Sequence, residues 1–90
     1  MVLYLLVTAI RTDVVTLTLL SANPATGSVT PEGETVHRRG SQVTIAAIGI
    51  APFGFSNWDD EQGDESYQSV RIITMDSDKT ITAYFGYVGE

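Results

Sequence analysis

The sequence predicts an all-β domain, either β-grasp-like or a small β-sandwich, with six to seven short strands and antiparallel hairpins. Two observations support this fold class. Apolar and polar residues alternate in several segments, and turn-forming residues separate these segments every few positions. No window longer than a couple of turns has apolar residues at helical spacing. A chain of 90 residues accommodates one such domain.

Four strands are predicted in the first half of the chain, at residues 15–19, 28–30, 35–38 and 42–48. Asn-Pro and Thr-Gly pairs separate the first two strands, and Gly27 is expected there at a positive φ. A second turn is expected at residues 31–34. The side chains that alternation assigns to the core in the first and fourth strands are Val15, Leu17, Leu19, Val43, Ile45 and Ala47.

The second half is predicted to contain an irregular segment, a short strand and a hairpin. Glycine and proline residues make residues 50–55 irregular, and residues 55–58 form the short strand. Residues 69–74 and 79–84 are predicted to pair with each other across a polar turn. In the last strand, alternation places Ile81, Ala83 and Phe85 inward and Thr80, Thr82 and Tyr84 outward.

Residues 1–13 begin with the apolar run MVLYLLVTAI, which suits the core of a signal peptide or an added strand. No basic residue precedes the run, Arg11 is the first to follow it, and no small-residue cleavage site is evident. The run is too short to span a bilayer as a helix. The sequence therefore favours an N-terminal apolar strand or arm, which pairs either within its own sheet or with a neighbouring subunit.

Several segments together resemble the divergent internalin-type B-repeat, a small β-rich module of bacterial surface and secreted proteins. They are Asn23-Pro24, GSVTP at 27–31, Arg39-Gly40 before the VTI strand, FGFSNW at 53–58 and MDSDKTITAYF at 75–85. The resemblance covers about residues 14–86, which leaves an arm at 1–13 and a tail at 87–90. It implies that Trp58 and an aromatic residue near Phe55 lie in the core. It also implies spacing, adhesion or assembly rather than catalysis.

Composition excludes several other functions. Eleven acidic and five basic residues give a net charge of −6, which disfavours binding to the phosphate backbone of a nucleic acid. The chain has no cysteine, so it forms neither disulfides nor thiolate metal sites. No cofactor is expected.

The segment at residues 59–65 holds five carboxylates and raises the possibility of a calcium site at Asp59, Asp60 and Asp64. Its spacing fails the helix-loop-helix calcium pattern, because Gly63 falls where an oxygen ligand belongs. The sequence favours a solvated acidic loop over a metal site.

An enzyme is not expected, because the single histidine, His37, has no acid placed to orient it as a base for a serine nucleophile. The basic cluster of His37, Arg38 and Arg39 better suits an acidic protein surface. Exposed tyrosines can also anchor a protein interface. The predicted interface residues are Val2, Tyr4, Leu6, His37, Arg38, Arg39, Tyr84 and Tyr87.

The apolar arm on a single repeat favours a structural subunit of a larger assembly, such as a phage virion protein that decorates a capsid or associates with a tail. Its partners are expected to be copies of itself or other subunits. The alternative, taken from the resemblance, is an adhesive or spacer domain of a bacterial cell-surface or secreted protein. The expected location is accordingly the virion, or the cell surface and extracellular space.

Overall fold

A computed structural model describes residues 13–60 and 63–89, and seven strands of this part form two sheets. A short 3-10 helix, Gly63–Tyr67, was not predicted. The strands are β1 (Val14–Ser21), β2 (Gly27–Thr30), β3 (Gly33–Arg38), β4 (Ser41–Gly49), β5 (Phe53–Trp58), β6 (Val70–Met75) and β7 (Lys79–Tyr87). The expected all-β fold class is confirmed.

The two sheets make a small β-sandwich. One sheet has four strands in the order β3-β1-β7-β5, and the other has three in the order β2-β4-β6. Neighbouring strands are antiparallel, except that β1 and β7 run parallel. Because β1 and β7 are the first and last strands, their pairing joins the two ends of the described chain.

One hydrophobic core lies between the sheets, as alternation along the strands predicts. Leu17 of the four-stranded sheet and Ile45 of the three-stranded sheet are both fully buried. Trp58 is 1% exposed, which confirms its expected core position, and its ring packs against Phe55. The buried core residues are Val15, Leu17, Leu19, Val29, Ile45, Ala47, Trp58, Ile73, Met75, Ile81 and Ala83.

The predicted hairpin of residues 69–74 and 79–84 is wrong. β6 pairs with β4, whereas β7 pairs with β1 and β5, so these consecutive strands lie in different sheets. The turn between them is fixed to β1, because Asp78 Oδ1 accepts a 2.8 Å hydrogen bond from the Thr16 N–H. Because β6 and β7 lie in different sheets, Met75 and Ile81 enter the same core from opposite sides.

Two predictions about glycines need correction. Gly27 does not have a positive φ; it is the first residue of β2. Its constraint is steric, because a Cβ at this position would lie 2.2 Å from the Phe85 ring. The segment expected to be irregular is a strand from Phe53 onward, since the 2.9 Å hydrogen bond from the Phe53 N–H to the Ile50 carbonyl closes a turn immediately before β5. The turn at residues 31–34 does contain a glycine at positive φ, Gly33 at 83°.

The N-terminal arm predicted at residues 1–13 lies outside the described residues except for Asp13. The Asp13 carbonyl accepts a 2.6 Å hydrogen bond from the Arg39 N–H at the turn between β3 and β4. In the part of the chain that the structure describes, no helix is long and apolar enough to cross a membrane.

Candidate functional site

The three-stranded sheet has an outer face that results from strand alternation in β2, β4 and β6. In β6, Ile73 and Met75 point into the core, and Ile72 therefore points outward. The β4–β6 register places Thr44 opposite Ile72 and Ala46 opposite Val70. We call this surface the uncharged face; its residues are Ser28, Thr30, Gln42, Thr44, Ala46, Ile48, Val70, Ile72 and Thr74.

The uncharged face exposes apolar side chains without any charged neighbour among its own residues. Ile48 is 63% exposed, and Val70 and Ile72 are each 59% exposed. A one-sided sheet normally presents polar residues to water. Here Ile48, Val70 and Ile72 are exposed among threonines, serine and glutamine, which makes the face a candidate surface for contact with another protein.

The outer face of the four-stranded sheet has a different character. It carries several threonines, and the β1–β3 register adds the exposed charges of Glu34 and Arg38. Leu20 is 42% exposed and Val36 is 66% exposed on this face. The face is therefore a mixed surface of polar, charged and scattered apolar residues.

The predicted basic cluster is divided by strand alternation. His37 is half-buried, and its Nε2 lies 2.6 Å from Thr35 Oγ1, whereas Arg38 points to the opposite side of β3. Arg39 Nη1 donates a 2.9 Å hydrogen bond to the Asp76 carbonyl. These three side chains do not form one basic surface.

The predicted interface tyrosines are also separated. Tyr84 is 43% exposed on the outer face of the four-stranded sheet, opposite Asn57. Tyr87 is 70% exposed near the chain end and packs edge-on against Phe53, with ring centroids 5.9 Å apart. Arg38 shares a face with Tyr84 but lies about 25 Å away along the strand direction, by the rise of an extended chain.

The predicted interface therefore stays a prediction, and the structure places its residues at several surfaces. Val2, Tyr4 and Leu6 lie outside the described residues. Of the other predicted interface residues, Arg38 and Tyr84 lie on the outer face of the four-stranded sheet, at opposite ends of it.

An ion pair between a buried arginine and a half-buried aspartate lies at the start of β6, and the sequence analysis missed it. The guanidinium of Arg71 binds the Asp60 carboxylate, and Arg71 Nη1 also donates a 3.1 Å hydrogen bond to the Glu65 carbonyl. The Arg71 residue is 6% exposed, and its guanidinium carbon lies 6.0 Å from the centroid of the Trp58 ring. The signal was present in the sequence, because Arg71 has the same parity as the inward Ile73.

Two of the three carboxylates of the calcium hypothesis, those of Asp59 and Asp60, already have protein partners. Asp59 Oδ1 accepts a 2.9 Å hydrogen bond from the Thr82 N–H, and Asp60 binds Arg71. Asp64 lies in the 3-10 helix. Over residues 13–60 and 63–89, no group of three or more His, Cys, Asp or Glu residues could hold a metal ion. The expectation of a solvated loop is wrong for Asp60, and the calcium site stays a prediction that a calorimetric titration tests.

A polar cleft of about 260 Å³ separates β6 from the start of β7. Arg71 and Lys79 line it together with Asp60 and Glu65, so opposite charges offset each other within it. Small-molecule sites are usually larger, about 300–1,000 Å³, and predominantly apolar. The cleft does not resemble a substrate pocket.

The fold and these surfaces are those of a small all-β module in which the buried guanidinium of Arg71 is held by structural contacts with Asp60 and Glu65. The model of the divergent InlB B-repeat domain matches residues 17–89, and the chain belongs to this family. The resemblance seen in the sequence is thereby confirmed. Neither the comparison with curated proteins nor that with solved structures gave a significant match.

Membership of this family changes the order of the two functional hypotheses. Repeat domains of this type occur in cell-surface or secreted bacterial proteins and are typically non-enzymatic. The match supports the surface-module alternative better than the virion subunit, for which it offers no support.

Proposed function

We propose that this chain is a non-catalytic adhesive or spacer module of a bacterial cell-surface or secreted protein, and that it acts through contacts with other proteins. The observation that carries the proposal is the match of the B-repeat family to residues 17–89, which include all of the three-stranded sheet and most of the four-stranded sheet.

The outer face of the four-stranded sheet supports a role in protein contacts. Tyr84 and Val36 are exposed there among threonines, together with the charges of Glu34 and Arg38. Tyrosine provides a large contact area at low conformational cost and is enriched at binding hot spots. A mixed surface of this kind suits a reversible contact better than a permanent one.

The hydrogen bonds of the candidate catalytic groups support the absence of catalysis. Ser21 Oγ donates to the Gly27 carbonyl at 2.8 Å, and Ser41 Oγ donates to the Arg38 carbonyl at 2.6 Å. The imidazole of His37 is paired with Thr35. A serine nucleophile needs a base within hydrogen-bond reach, and these hydroxyl groups instead fix local backbone.

No observation among the described residues favours the virion subunit. The feature that suggested it was the apolar run near the start of the chain, which the described ranges do not include. The proposed function accordingly rests on the repeat module itself.

The proposal is tested by locating the domain on intact cells of the bacterium that produces it. An antibody raised against the folded chain should label intact cells or precipitate the domain from the medium, and added protease should remove the cell-surface signal. A cytoplasmic protein in the same cells serves as the control and should stay protected. Recovery of the domain only from lysed cells, or only in sedimented phage particles, would contradict the proposal.

A further inference from the structure

The outer edge of β6 is a strand edge that pairs with no further strand of the described residues. β6 is the last strand in the order β2-β4-β6, and β4 lies on one side of it only. The cleft of about 260 Å³ lies along its other side, because four consecutive residues, 71–74, line it although their side chains alternate between the two faces. The backbone of β6 therefore borders open space.

The hydrogen bonds of β4 show which backbone groups of β6 face this space. The Ala47 N–H donates to the Ser69 carbonyl at 2.8 Å, and the pairs of the β4–β6 register follow in order from there. In an antiparallel pair, successive residues turn their N–H and C=O groups alternately toward the partner strand and away from it. Ser69 faces β4, so Val70, Ile72 and Thr74 direct their backbone groups to the open edge.

The other three edge strands carry features that discourage pairing with a further strand. β2 has four residues and is followed directly by Pro31, and β5 is interrupted by a bulge between Phe55 and Asn57. β3 exposes the charges of Glu34 and Arg38. Short strands, proline, bulges and edge charges all protect sheets against edge-to-edge association.

β6 lacks these features. It has six residues, none of them proline or glycine, and its register with β4 is unbroken. Its one charged residue, Arg71, points inward, where Asp60 already neutralises it. An inward charge protects an edge because pairing would bury it without a counterion, and that cost does not arise here. The edge of β6 is therefore suited to pairing with another strand.

A second copy of β6 matches this edge. When two β6 strands pair antiparallel about a two-fold axis at Ile72, this residue lies opposite its own symmetry mate, and Val70 of one copy lies opposite Thr74 of the other. All three edge-facing residues then form hydrogen-bonded pairs, with β-branched, uncharged side chains as cross-strand neighbours. Arg71 lies opposite Ile73 of the other copy, so the two guanidinium groups do not face each other.

We propose that two copies of this chain associate through antiparallel pairing of their β6 strands, centred on Ile72, and so join their three-stranded sheets into one six-stranded sheet. The contact is about 20 Å long and about 10 Å thick. Stable interfaces bury ~1,200–2,000 Å², so a contact of this size gives a reversible dimer. The proposal concerns the edge of β6 and does not depend on the proposed function.

Single cysteines in the full-length chain test the geometry of the pairing, because the native sequence contains no cysteine. In a hydrogen-bonded antiparallel pair the Cα atoms lie about 5.5 Å apart, within the range of about 4.4–6.8 Å that a disulfide spans. Under mild oxidation, Ile72→Cys should therefore form a covalent dimer. Thr44 lies opposite Ile72 on β4. Its distance from its own symmetry mate is three strand spacings, about 14 Å, so Thr44→Cys should stay monomeric.

Val36→Cys measures cross-linking by random collision, because Val36 is exposed on the edge strand β3 of the other sheet. A dimer yield from Ile72→Cys no higher than that from Val36→Cys would overturn the proposal. Equal yields from Ile72→Cys and Thr44→Cys would also overturn it, and would indicate that the uncharged faces of two copies stack on each other.

Added charges test the association in chains without cysteine. In a concentration series up to about 1 mM, translational diffusion should show the apparent mass of the native chain rising toward that of a dimer. Ile72→Lys places like charges opposite each other across the two-fold axis and should keep the chain monomeric. The matched control is Ile48→Lys, which adds the same charge to an exposed isoleucine of the same face on β4 and should still associate.

The indole N–H signal of Trp58, which donates to the Gln68 carbonyl, reports that both lysine variants are folded. A native chain that stays monomeric throughout the series would contradict the proposal and leave the edge to a strand of a different protein. Loss of association in both variants would contradict it as well, because contact through the whole face is then indicated instead of contact through the edge.

Discussion

Arg71 is a charged side chain at a core-facing position, and its neighbours account for its burial. The Asp60 carboxylate neutralises the guanidinium, the Glu65 carbonyl accepts from Nη1, and the Trp58 ring lies beneath it. A buried charge is costly to leave without a partner, whereas the intact pair is close to neutral in its net effect on stability. The pair therefore fixes the segment after β5 in place more than it adds stability.

Removing one member of this pair should destabilise the domain strongly. We expect Asp60→Ala to lower the free energy of unfolding by about 3 kcal/mol, because it leaves the Arg71 charge buried and unpaired. Adding Arg71→Met should restore much of this loss, since both charges are then gone. Urea unfolding measures both effects. The exposed Glu32→Ala is the control and should change stability by less than about 0.5 kcal/mol; an equally small effect of Asp60→Ala would contradict this explanation.

Asp76 and Lys79 form an exposed pair on the turn between β6 and β7, with 3.2 Å between Lys79 Nζ and Asp76 Oδ1. The hydrogen bond from Lys79, followed by its charge, lowers the pKa of the Asp76 carboxyl below its ordinary value of 3.8. A lowered folded-state pKa stabilises the fold above the unfolded-state pKa. This contribution is lost as the pH falls through the folded-state pKa.

We expect Lys79→Gln to raise the pKa of Asp76 toward 3.8, because both the hydrogen bond and the charge of Lys79 are lost. Carboxyl ¹³C shifts followed from pH 6 to pH 2 measure the pKa of Asp76. This range extends about two pH units to either side of an ordinary aspartate pKa. Arg38→Gln removes a positive charge that is not among the groups lowering this pKa, and it should leave the Asp76 titration unchanged. Equal shifts in the two variants would show that net charge, rather than the local pair, sets this pKa.

At the scale of the strands, the ends of β2 and β4 show how closely the two sheets approach each other. Gly27 and Gly49 are paired in the β2–β4 register. A Cβ on Gly27 would meet the Phe85 ring, and a Cβ on Gly49 would lie 2.4 Å from the Phe53 carbonyl oxygen and 2.6 Å from the Gly54 Cα. The absence of side chains at this corner lets β4 turn directly into β5.

Gly49→Ala should therefore destabilise the fold. The added methyl group meets backbone, which cannot rotate away as a side chain can, and we expect a loss of about 1–3 kcal/mol. Gly86→Ala is the matched control in β7, because a Cβ there meets nothing within 4 Å. Its effect should stay within about 0.5 kcal/mol. Thermal unfolding of the two variants checks the difference, and similar losses in both would contradict the steric explanation.

At the scale of the whole molecule, both sheets contribute to one core and neither has a core of its own. Leu17 and Leu19 face Ile45 and Ala47 within a single cluster of buried residues. The parallel pairing of β1 with β7 also makes the four-stranded sheet depend on both ends of the described chain. Partial unfolding of one sheet would expose the inner face of the other.

We therefore expect the domain to unfold in one cooperative transition. Fluorescence of Trp58, the single tryptophan, reports the core, and far-ultraviolet circular dichroism reports all strands. The two signals should give the same urea midpoint, and the calorimetric and van't Hoff enthalpies should agree. Separate midpoints for the two signals would show that the sheets unfold independently.

Much of the fold was predictable from local patterns. Alternation placed Val15, Leu17 and Leu19 in the core, and it oriented Ile81 and Ala83 correctly in β7. The uncharged face was not predicted, because it exists only when three strands lie side by side in one register. Arg71 was missed because sequence position alone does not show the carboxylate that makes its burial tolerable.

The sequence by itself determined the all-β class, most strand positions, the core side chains and the family. The first three follow from periodicity and turn chemistry, which act between residues close in the chain, whereas the family follows from the resemblance of several segments to the B-repeat. Only the tertiary structure decided that β6 and β7 separate, that β1 pairs in parallel with β7, and that Asp60 binds Arg71. A short polar turn is compatible with either a hairpin or a crossing between sheets. The choice between them is made by burying the apolar faces of both strands in one shared core, which is a property of the whole chain.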